Sequence, residues 1–270
     1  GVTAAFGDID NDGDPDLFAT SVRFGNGLFE NDGTGHFAEI TDDAGVAYFG
    51  HSSGAVMFDY DNDGLLDIFL TNVGKYTTDQ RVDAPIDLAH PEEGATNAYY
   101  VGTTDAFMAQ LDPARSERNI LYHNDGGNRF TDVTTALGLV DEGWGGDATP
   151  IDANDDGWTD LYVVNMQGHD HYYENQGGTA FVDRSLDVFP RTPWGAMGVA
   201  AFDYDNDGDM DMWVTDMHSD MAANTPREQD KAKANVTWPE ELSQSEGRSI
   251  WGNAFFRREA DGTFAEVSDA

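Results

Sequence analysis

The chain has 270 residues and no cysteine, and its 51 acidic residues against 14 basic ones give a formal net charge of −37. An apolar content of 39%, with 12% aromatics, is too high for a disordered acidic chain, so we expect one large or two small folded domains. The charge makes nucleic acid and anionic membranes poor partners, so we expect no nucleic-acid binding. The lack of cysteine excludes disulfides, thiolate metal sites and cysteine nucleophiles. No run of 18 apolar residues is present, so we expect no membrane insertion.

An aspartate-rich nonapeptide occurs four times and divides the chain into repeats, beginning at Asp8, Asp59, Asp152 and Asp203. In each repeat a small, apolar run precedes the nonapeptide and a β-branched and aromatic run follows it, as in Gly54–Phe58 and Asp67–Thr71. An Asn/Asp-Gly hairpin turn and a fourth, alternating strand come next, as in Phe37–Thr41. Four antiparallel strands per repeat predict an all-β fold, a β-propeller of four-stranded blades.

The blades are predicted at residues 1–43, 44–135, 136–187 and 188–270, with long loop insertions at 74–117 and 217–248. The first insertion is polar and shows little periodicity, and we expect it to form loops. The second contains Thr225-Pro226-Arg-Glu228, a capping box that predicts a short surface helix. The chain opens without Met or a signal peptide, inside what looks like a strand, so we expect a processed or partial chain.

Each nonapeptide has oxygen-bearing side chains at positions 1, 3, 5 and 9 and glycine at position 6. Such a loop can surround a hard cation, because alternate side chains point inward, glycine permits a sharp turn, and the carbonyl of position 7 adds an oxygen. We therefore predict about four Ca²⁺ ions, one per loop. The predicted side-chain ligands are Asp8, Asp10, Asp12, Asp16, Asp59, Asp61, Asp63, Asp67, Asp152, Asn154, Asp156, Asp160, Asp203, Asp205, Asp207 and Asp211. The predicted carbonyl ligands belong to Asp14, Leu65, Trp158 and Asp209.

Two other interpretations of these loops were weighed. An EF-hand requires Glu at loop position 12, where this chain has Ala19, Leu70, Val163 and Val214, so that fold is rejected. Metal-free Asp/Gly turns are the alternative, but carboxylates gathered this closely repel one another, by about 4 kcal/mol at 4 Å and an effective dielectric of 20. An ion must neutralise them. Loop three, with the uncharged Asn154, should bind its ion most weakly.

A second candidate site lies on the face opposite the predicted calcium loops. The strand order places these residues there: His51, Trp144, His169, His171, Trp194 and His218. They could form a ligand or transition-metal site, with histidine as the metal ligand. The alternative is that they are solvated loop side chains that cap a central channel. Tryptophan at this mouth would also suit a sugar ring.

Two stretches resemble a known family. Phe202 to Asp211 reads Phe-Asp-Tyr-Asp-Asn-Asp-Gly-Asp-Met-Asp, and Asn119 to Thr134 carries a Leu-Tyr-His-Asn-Asp-Gly-Gly turn. Both resemble the FG-GAP/VCBS calcium-binding β-propeller repeats, and the chain is similar to the bacterial ASPIC/UnbV-type proteins, relatives of cartilage acidic protein. The resemblance implies secreted or surface proteins with one calcium ion per blade, about seven blades and no established catalysis. Because this chain has four repeats, we expect a segment of a larger ring.

The sequence thus predicts a secreted, periplasmic or cell-surface, calcium-loaded propeller that acts as a non-catalytic binding or assembly scaffold. Its partner is expected to be another protein chain or an extracellular polysaccharide, bound through the face that carries the insertions. A carbohydrate-binding, lectin-like propeller is the alternative. A calcium-dependent polysaccharide lyase is a further one, since basic residues of the insertions, such as Arg81 and Lys231, could stand near the channel.

Overall fold

The computed structural model describes residues 2–85, 96–105, 112–141, 143–166, 168–217, 249–250 and 252–268. These residues form four antiparallel sheets of four strands each, which confirms the predicted all-β class. The number of blades and the closure of a ring remain predictions. The helix predicted from Thr225 onwards, and His218, lie outside the described residues.

The four sheets each run in chain order from their first strand to their fourth. Sheet one contains β1 (Ala4–Gly7), β2 (Asp16–Ala19), β3 (Gly27–Asn31) and β4 (Phe37–Glu39). Sheet two contains β5 (Ser52–Phe58), β6 (Asp67–Asn72), β9 (Ile120–Asn124) and β10 (Phe130–Asp132). Sheet three contains β11 (Gly145–Ile151), β12 (Asp160–Asn165), β13 (His171–Asn175) and β14 (Phe181–Asp183). Sheet four contains β16 (Ala196–Phe202), β17 (Asp211–Asp216), β19 (Ala254–Arg258) and β20 (Phe264–Glu266).

Smaller elements connect these sheets. The first insertion contains β7 (Thr77–Pro85), which pairs antiparallel with β8 (Thr96–Gly102), and a 3₁₀ turn at Pro113–Arg115. A short parallel pair joins β15 (Thr192–Pro193) to β18 (Ser249–Ile250), and two short helices are α1 (Thr41–Ala44) and α2 (Ser185–Val188). No helix among the described residues is long and apolar enough to cross a membrane.

The fourth strand of each sheet is shorter than the sequence predicts. In sheet one it ends at Glu39, because the hydroxyl of Thr41 accepts the N–H of Leu28 at 2.9 Å and replaces the next ladder carbonyl. The same hydroxyl bond recurs in the other sheets, between Thr134 and Leu121, Ser185 and Tyr172, and Ser268 and Phe255. A repeated Thr or Ser hydroxyl thus ends the ladder of each sheet.

The sheets pack face to face in chain order. Their first strands lie side by side, β1 against β5, β5 against β11, and β11 against β16. Three buried apolar clusters fill the spaces between consecutive sheets, centred on Leu28 and Ile68, on Phe69 and Leu161, and on Tyr162 and Met212. Each cluster takes residues from two neighbouring sheets, so every pair of consecutive sheets shares a core of its own.

The described part of the first insertion contains a β-ribbon formed by β7 and β8, where the prediction of loops is wrong. The ribbon packs on the loop between β2 and β3, where the guanidinium of Arg23 lies 4.3 Å from the ring centre of Tyr100 and donates to the carbonyl of Thr78. Phe24 contacts the same tyrosine ring. β7 is mostly polar and the two tyrosines of β8 are adjacent, so neither strand shows the sustained alternation of apolar and polar residues that would have revealed the ribbon.

Candidate metal centres

The four aspartate loops have the same backbone geometry. The first carboxylate accepts the N–H of position 5 and the N–H of the glycine at position 6, as Asp8 does from Asp12 at 3.1 Å and from Gly13 at 2.9 Å. The same two bonds recur in loops two, three and four. Position 4 is left-handed in all four loops, with φ between 57° and 63°, and position 6 needs its glycine at φ 85° to 97°. The four loops therefore share one backbone conformation, which holds the carboxylates of each loop in the same arrangement.

The last carboxylate of each loop is buried and ties the loop to the third strand of its sheet. Asp16 accepts the N–H of Ile9 through one oxygen, at 3.0 Å, and the N–H of Asn31 through the other, at 2.8 Å. Asp67, Asp160 and Asp211 make the equivalent pairs of bonds. The position-9 residue thus holds the start of the loop and the hairpin that follows.

Carboxylate oxygens converge in three of the loops. One oxygen from each of Asp8, Asp10 and Asp16 lies within 4.8 Å of the others, and the corresponding atoms of Asp203, Asp205 and Asp211 do the same. In loop two the converging residues are Asp59, Asp61 and Asp63. Asp61 Oδ1 is buried and accepts no hydrogen bond from the described residues, so this oxygen is available to a cation. These residues fit Ca²⁺, a cation that takes six to eight oxygen ligands.

Burial and mutual repulsion make these carboxylates costly to ionise without a cation. Burial raises the pKa of Asp67 to about 7 and that of Asp160 to about 6. Burial and neighbouring aspartates also raise the pKa of Asp61. A bound divalent cation supplies the positive charge that keeps such groups ionised.

Loop two differs from the other loops by a neighbouring imidazole, which sequence analysis did not single out. His123 Nδ1 lies 3.6 Å from a carboxylate oxygen of Asp61 and 3.4 Å from one of Asp67. Glu30 and Glu174 occupy the equivalent position in sheets one and three. An alignment of the hairpin motifs of the repeats would have shown that His123 stands where two other repeats have glutamate.

Loops of successive sheets are joined by asparagine side chains. The position-4 amide of Asn11 donates to the carbonyl of Gly64 in loop two at 2.8 Å, and Asn62 donates to Gly157 in loop three at 3.2 Å. The strand-three amide of Asn124 donates to the carbonyl of Ile9 in loop one at 2.8 Å. Asn175 donates in the same way to the carbonyl of Tyr60 in loop two at 2.7 Å. Loops one and two, and loops two and three, are therefore linked in both directions, so the geometry of one loop depends on the next.

The interface between sheets three and four uses an ion pair instead. Strand register places Arg258, and not Arg257, at the position of the strand-three asparagine. Arg258 Nη1 lies 2.7 Å from Asp155 and 2.8 Å from Asp209, and Asp155 stands where loops one and two have Asn11 and Asn62. An arginine–aspartate pair thus joins loops three and four where amide–carbonyl bonds join the others.

The histidine and tryptophan residues predicted on the opposite face do not form a solvated ring. His51 is buried, with Nδ1 2.9 Å from a carboxylate oxygen of Glu117 and Nε2 2.8 Å from the hydroxyl of Thr77. The other Glu117 oxygen accepts the Tyr48 hydroxyl and the N–H of His51. Glu117 is the last residue of the first insertion, and Thr77 is the first residue of β7. The buried cluster therefore fixes this end of the ribbon to sheet two.

Trp144 and Trp194 are also buried, so the interpretation of His51 and both tryptophans as solvated side chains is wrong. Trp144 packs with Val73, Tyr76 and Met166. His169 lies near the hydroxyl of Thr192, while His171 lies between Asp141 and Asp183. Among the described residues, the groups of possible metal ligands all involve the aspartate loops, and a site on this face stays a prediction.

Comparison with known proteins supports the repeat family. The profile of the FG-GAP-like repeat matches residues 4–70 and 152–214, which supports a relationship to FG-GAP repeats. No curated protein matches the sequence. Among solved structures the chain is similar to an Agrocybe aegerita lectin that recognises non-reducing terminal N-acetylglucosamine, at 14% identity and a TM-score of 0.46, over 98% of this chain and 52% of the lectin. It is also similar to the V. cholerae biofilm matrix protein Bap1, at 14% identity and a TM-score of 0.31, over 98% of this chain and 38% of Bap1. The chain thus spans about half the length of the lectin and less of Bap1.

Proposed function

We propose that this protein is an extracellular calcium-binding scaffold, related to the ASPIC/UnbV-type proteins, whose bound ions hold its repeated sheets in a fixed geometry for a binding partner. The observation that carries the proposal is the convergence of three carboxylates in each of loops one, two and four. Asn11 links loop one to loop two, and Asn62 links loop two to loop three. An ion in one loop fixes that loop, and the interloop bonds pass the constraint to its neighbour. The function is structural, and no catalytic step is assigned.

The partner surface we favour is the β-ribbon of the first insertion. It is held at one end by the buried Glu117–His51 pair and along its length by Arg23, which pairs with Asp79 at 2.8 Å. Tyr99 is half exposed on this ribbon and offers an aromatic contact. A ribbon held in place loses little conformational freedom when it binds, which favours affinity.

Carbohydrate binding is the second candidate, supported by a groove of about 420 Å³ beside sheet one. The groove is lined by Phe24, Phe29 and Phe49 together with Asn26 and Glu39. Aromatic rings can cover the apolar face of a sugar while amide and carboxylate groups accept its hydroxyls. A glycan array, with Phe49→Ala as the variant, tests this candidate: sugar binding that the variant loses supports it, and no binding rejects it.

Counting bound ions by native mass spectrometry tests the calcium proposal. After a chelator has removed its metal, the protein should take up about four Ca²⁺ ions. Asp10→Ala and Asp205→Ala should each lower this number by one, because the carboxylate at position 3 is a predicted ligand. Asp43→Ala, an exposed acidic residue outside the loops, should leave the count unchanged. Equal counts in all variants, or no uptake, would reject the proposal.

A further inference from the structure

Loop two offers a nitrogen ligand beside its carboxylates. Of the groups of possible metal ligands among the described residues, that of Asp61, Asp67 and His123 contains a histidine, and its ligand atoms all lie within 4.8 Å of one another. The residues that strand register places at the position of His123 in the other three sheets are Glu30, Glu174 and Arg257. Loop two therefore differs from the other loops in the kind of ligand atom it presents.

The distances around the imidazole fit the ligands of one metal ion better than an ordinary ion pair. His123 Nδ1 lies 3.4 Å from Oδ1 of Asp67 and 3.6 Å from Oδ2 of Asp61, so it stands between the two carboxylates. An N–H donated to one carboxylate would place the nitrogen about 2.7–3.2 Å from the oxygen. Two ligand atoms that each lie about 2.1 Å from a tetrahedral zinc ion are about 3.4 Å apart. The observed separations match two edges of such a coordination sphere.

Both carboxylates can give an oxygen to the metal. Asp61 Oδ1 is buried and accepts no hydrogen bond from the described residues. Asp67 is fully buried, and its Oδ1 accepts the N–H of Asn124 at 2.8 Å. A carboxylate oxygen accepts at two lone pairs, so this bond leaves one for a metal. Because two carboxylates this close and this buried need positive charge beside them, a divalent cation stabilises the pair.

The imidazole is held in the orientation that a metal ligand requires. Its edge-to-face contact with Tyr60, at 5.8 Å between ring centres, fixes the plane of the ring, and the Tyr60 hydroxyl makes only a long 3.4 Å contact with Nδ1. On the far side of the ring, Nε2 lies 3.7 Å from Oδ1 of Asp125. A carboxylate there favours a proton on Nε2, which leaves the lone pair of Nδ1 for a metal. The His123 side chain is 24% exposed, so an ion and a water ligand can reach it.

We propose that loop two binds a divalent transition metal ion of the zinc type through Nδ1 of His123 and the carboxylates of Asp61 and Asp67. Zinc takes imidazole nitrogen and carboxylate oxygen as ligands, whereas calcium takes oxygen ligands. Three protein ligands leave a fourth position for water. The loops that have no imidazole keep calcium.

Zinc and calcium compete at loop two, because Asp61 and Asp67 are also its predicted calcium ligands. With calcium alone, loop two binds calcium as the other loops do. When zinc is present, the imidazole of His123 gives zinc the advantage there, and the protein then carries two kinds of metal ion. The inference rests on the geometry of loop two and not on calcium binding, since zinc can be added to protein that holds no calcium.

Native mass spectrometry of the full chain, with Zn²⁺ as the probe, tests the proposal. One equivalent of Zn²⁺ should replace one calcium ion in calcium-loaded protein, and it should also bind to protein freed of metal by a chelator. No zinc uptake in either form contradicts the proposal, and so does zinc that binds to calcium-loaded protein without displacing calcium. Failure of the calcium proposal has a different signature: no calcium is taken up before zinc is added, and the metal-free sample alone then decides the zinc site.

Two histidine variants locate the ion. His123→Gln keeps a polar side chain without a ring nitrogen, so it should weaken zinc binding by about tenfold or more in titration calorimetry. The number of calcium ions should stay the same, which checks that the variant is folded. His171→Gln is the matched control, because Asp141 and Asp183 contact opposite nitrogens of that ring and do not converge on one of them. Equal zinc affinity in His123→Gln and the wild type contradicts the proposal.

Long-range ¹H–¹⁵N NMR identifies the nitrogen that binds. On addition of Zn²⁺, Nδ1 of His123 should become the metal-bound nitrogen while Nε2 keeps its proton. A spectrum without a change at His123 would show that the ring only forms an ion pair with Asp61 and Asp67. That result, or zinc on Nε2, contradicts the proposal.

Discussion

Arg258 Nη1 contacts a carboxylate oxygen of Asp155 at 2.7 Å, across the boundary between sheets three and four. Its guanidinium is almost fully buried and also contacts Asp209. At the two preceding boundaries the same positions are filled by asparagines that bond main-chain carbonyls. Loops of successive sheets are therefore always connected, by either of two kinds of contact.

A double-mutant cycle at this boundary tests whether the Arg258–Asp155 contact and the asparagine contacts can replace one another. Arg258→Asn alone should lower the free energy of unfolding by about 1–2 kcal/mol, since it removes a buried side chain and its pairs. Asp155→Asn alone should cost less than about 1 kcal/mol, because Asp155 is mostly exposed. The double variant should be more stable than the sum of the single losses predicts, as two asparagines can rebuild the amide contacts. Urea unfolding measures all three, and Arg257→Asn, at the half-exposed neighbouring position, is the control.

The strand-three asparagines should differ in importance along the chain. Asn175 is buried and donates to the carbonyls of Tyr60 and Thr159, at 2.7 and 2.9 Å, so Asn175→Ala should lower the free energy of unfolding by about 1–3 kcal/mol. Asn31 occupies the same position in sheet one, but its amide Nδ2 donates to the carbonyl of Pro15 and to no carbonyl of another loop among the described residues. Asn31→Ala is the matched control, and an equal loss from both would show that the interloop bond to Tyr60 adds nothing.

The buried Glu117 should hold the first insertion in place. Burial acts to raise its pKa, but hydrogen bonds from His51 and Tyr48 outweigh it and hold the pKa of Glu117 below 4.5. Its stabilising effect is thus present at neutral pH and lost as pH falls through this lowered value. Glu117→Ala should speed hydrogen exchange in β7 and β8 at neutral pH, whereas Asp112→Asn, at an exposed position near the 3₁₀ turn, should not. Unchanged exchange in Glu117→Ala would contradict the anchoring role.

His171 should give a separate pH signature. Burial acts to lower its pKa, but Asp183, with its 3.0 Å contact, and Asp141 raise the pKa of His171 above 6.5. A raised histidine pKa means that its stabilisation is complete below 6.5 and is lost as pH rises through the higher folded value. NMR titration should show this elevation, and Asp183→Asn should reduce it. A pKa for His171 at or below 6.5 would contradict the assignment.

The repeat pattern was sufficient to predict the sheets but not the contacts between them. Strand identity follows from local alternation around each loop, and the four predicted sheets were found. Asn11, Asn124 and Arg258 were missed because their partners lie in another repeat, where no local pattern registers them. Aligning the four copies position by position would have shown that Asp155 and Arg258 depart from the asparagine pattern.

On the face opposite the aspartate loops, the sequence predicted the positions of residues but not their burial. Distance from each aspartate loop correctly placed His51, Trp144 and Trp194 near the start of a first strand, but it could not indicate burial. His51 is covered because the first insertion returns to it through Glu117, which is 66 residues further along the chain. Long insertions make such contacts, and their pairing depends on tertiary structure that sequence periodicity does not encode.

The central claim, that calcium holds these loops and thereby the sheets, is tested most directly by the free energy of unfolding with and without Ca²⁺. Each occupied loop should add about 2.7 kcal/mol when free Ca²⁺ exceeds its dissociation constant a hundredfold. We predict a large rise in the unfolding free energy when Ca²⁺ is added to protein freed of metal by a chelator. The rise should be smaller in Asp205→Ala, and Asn154→Asp should bind Ca²⁺ more tightly in loop three. An unfolding free energy that is the same in chelator and in Ca²⁺ would contradict the claim.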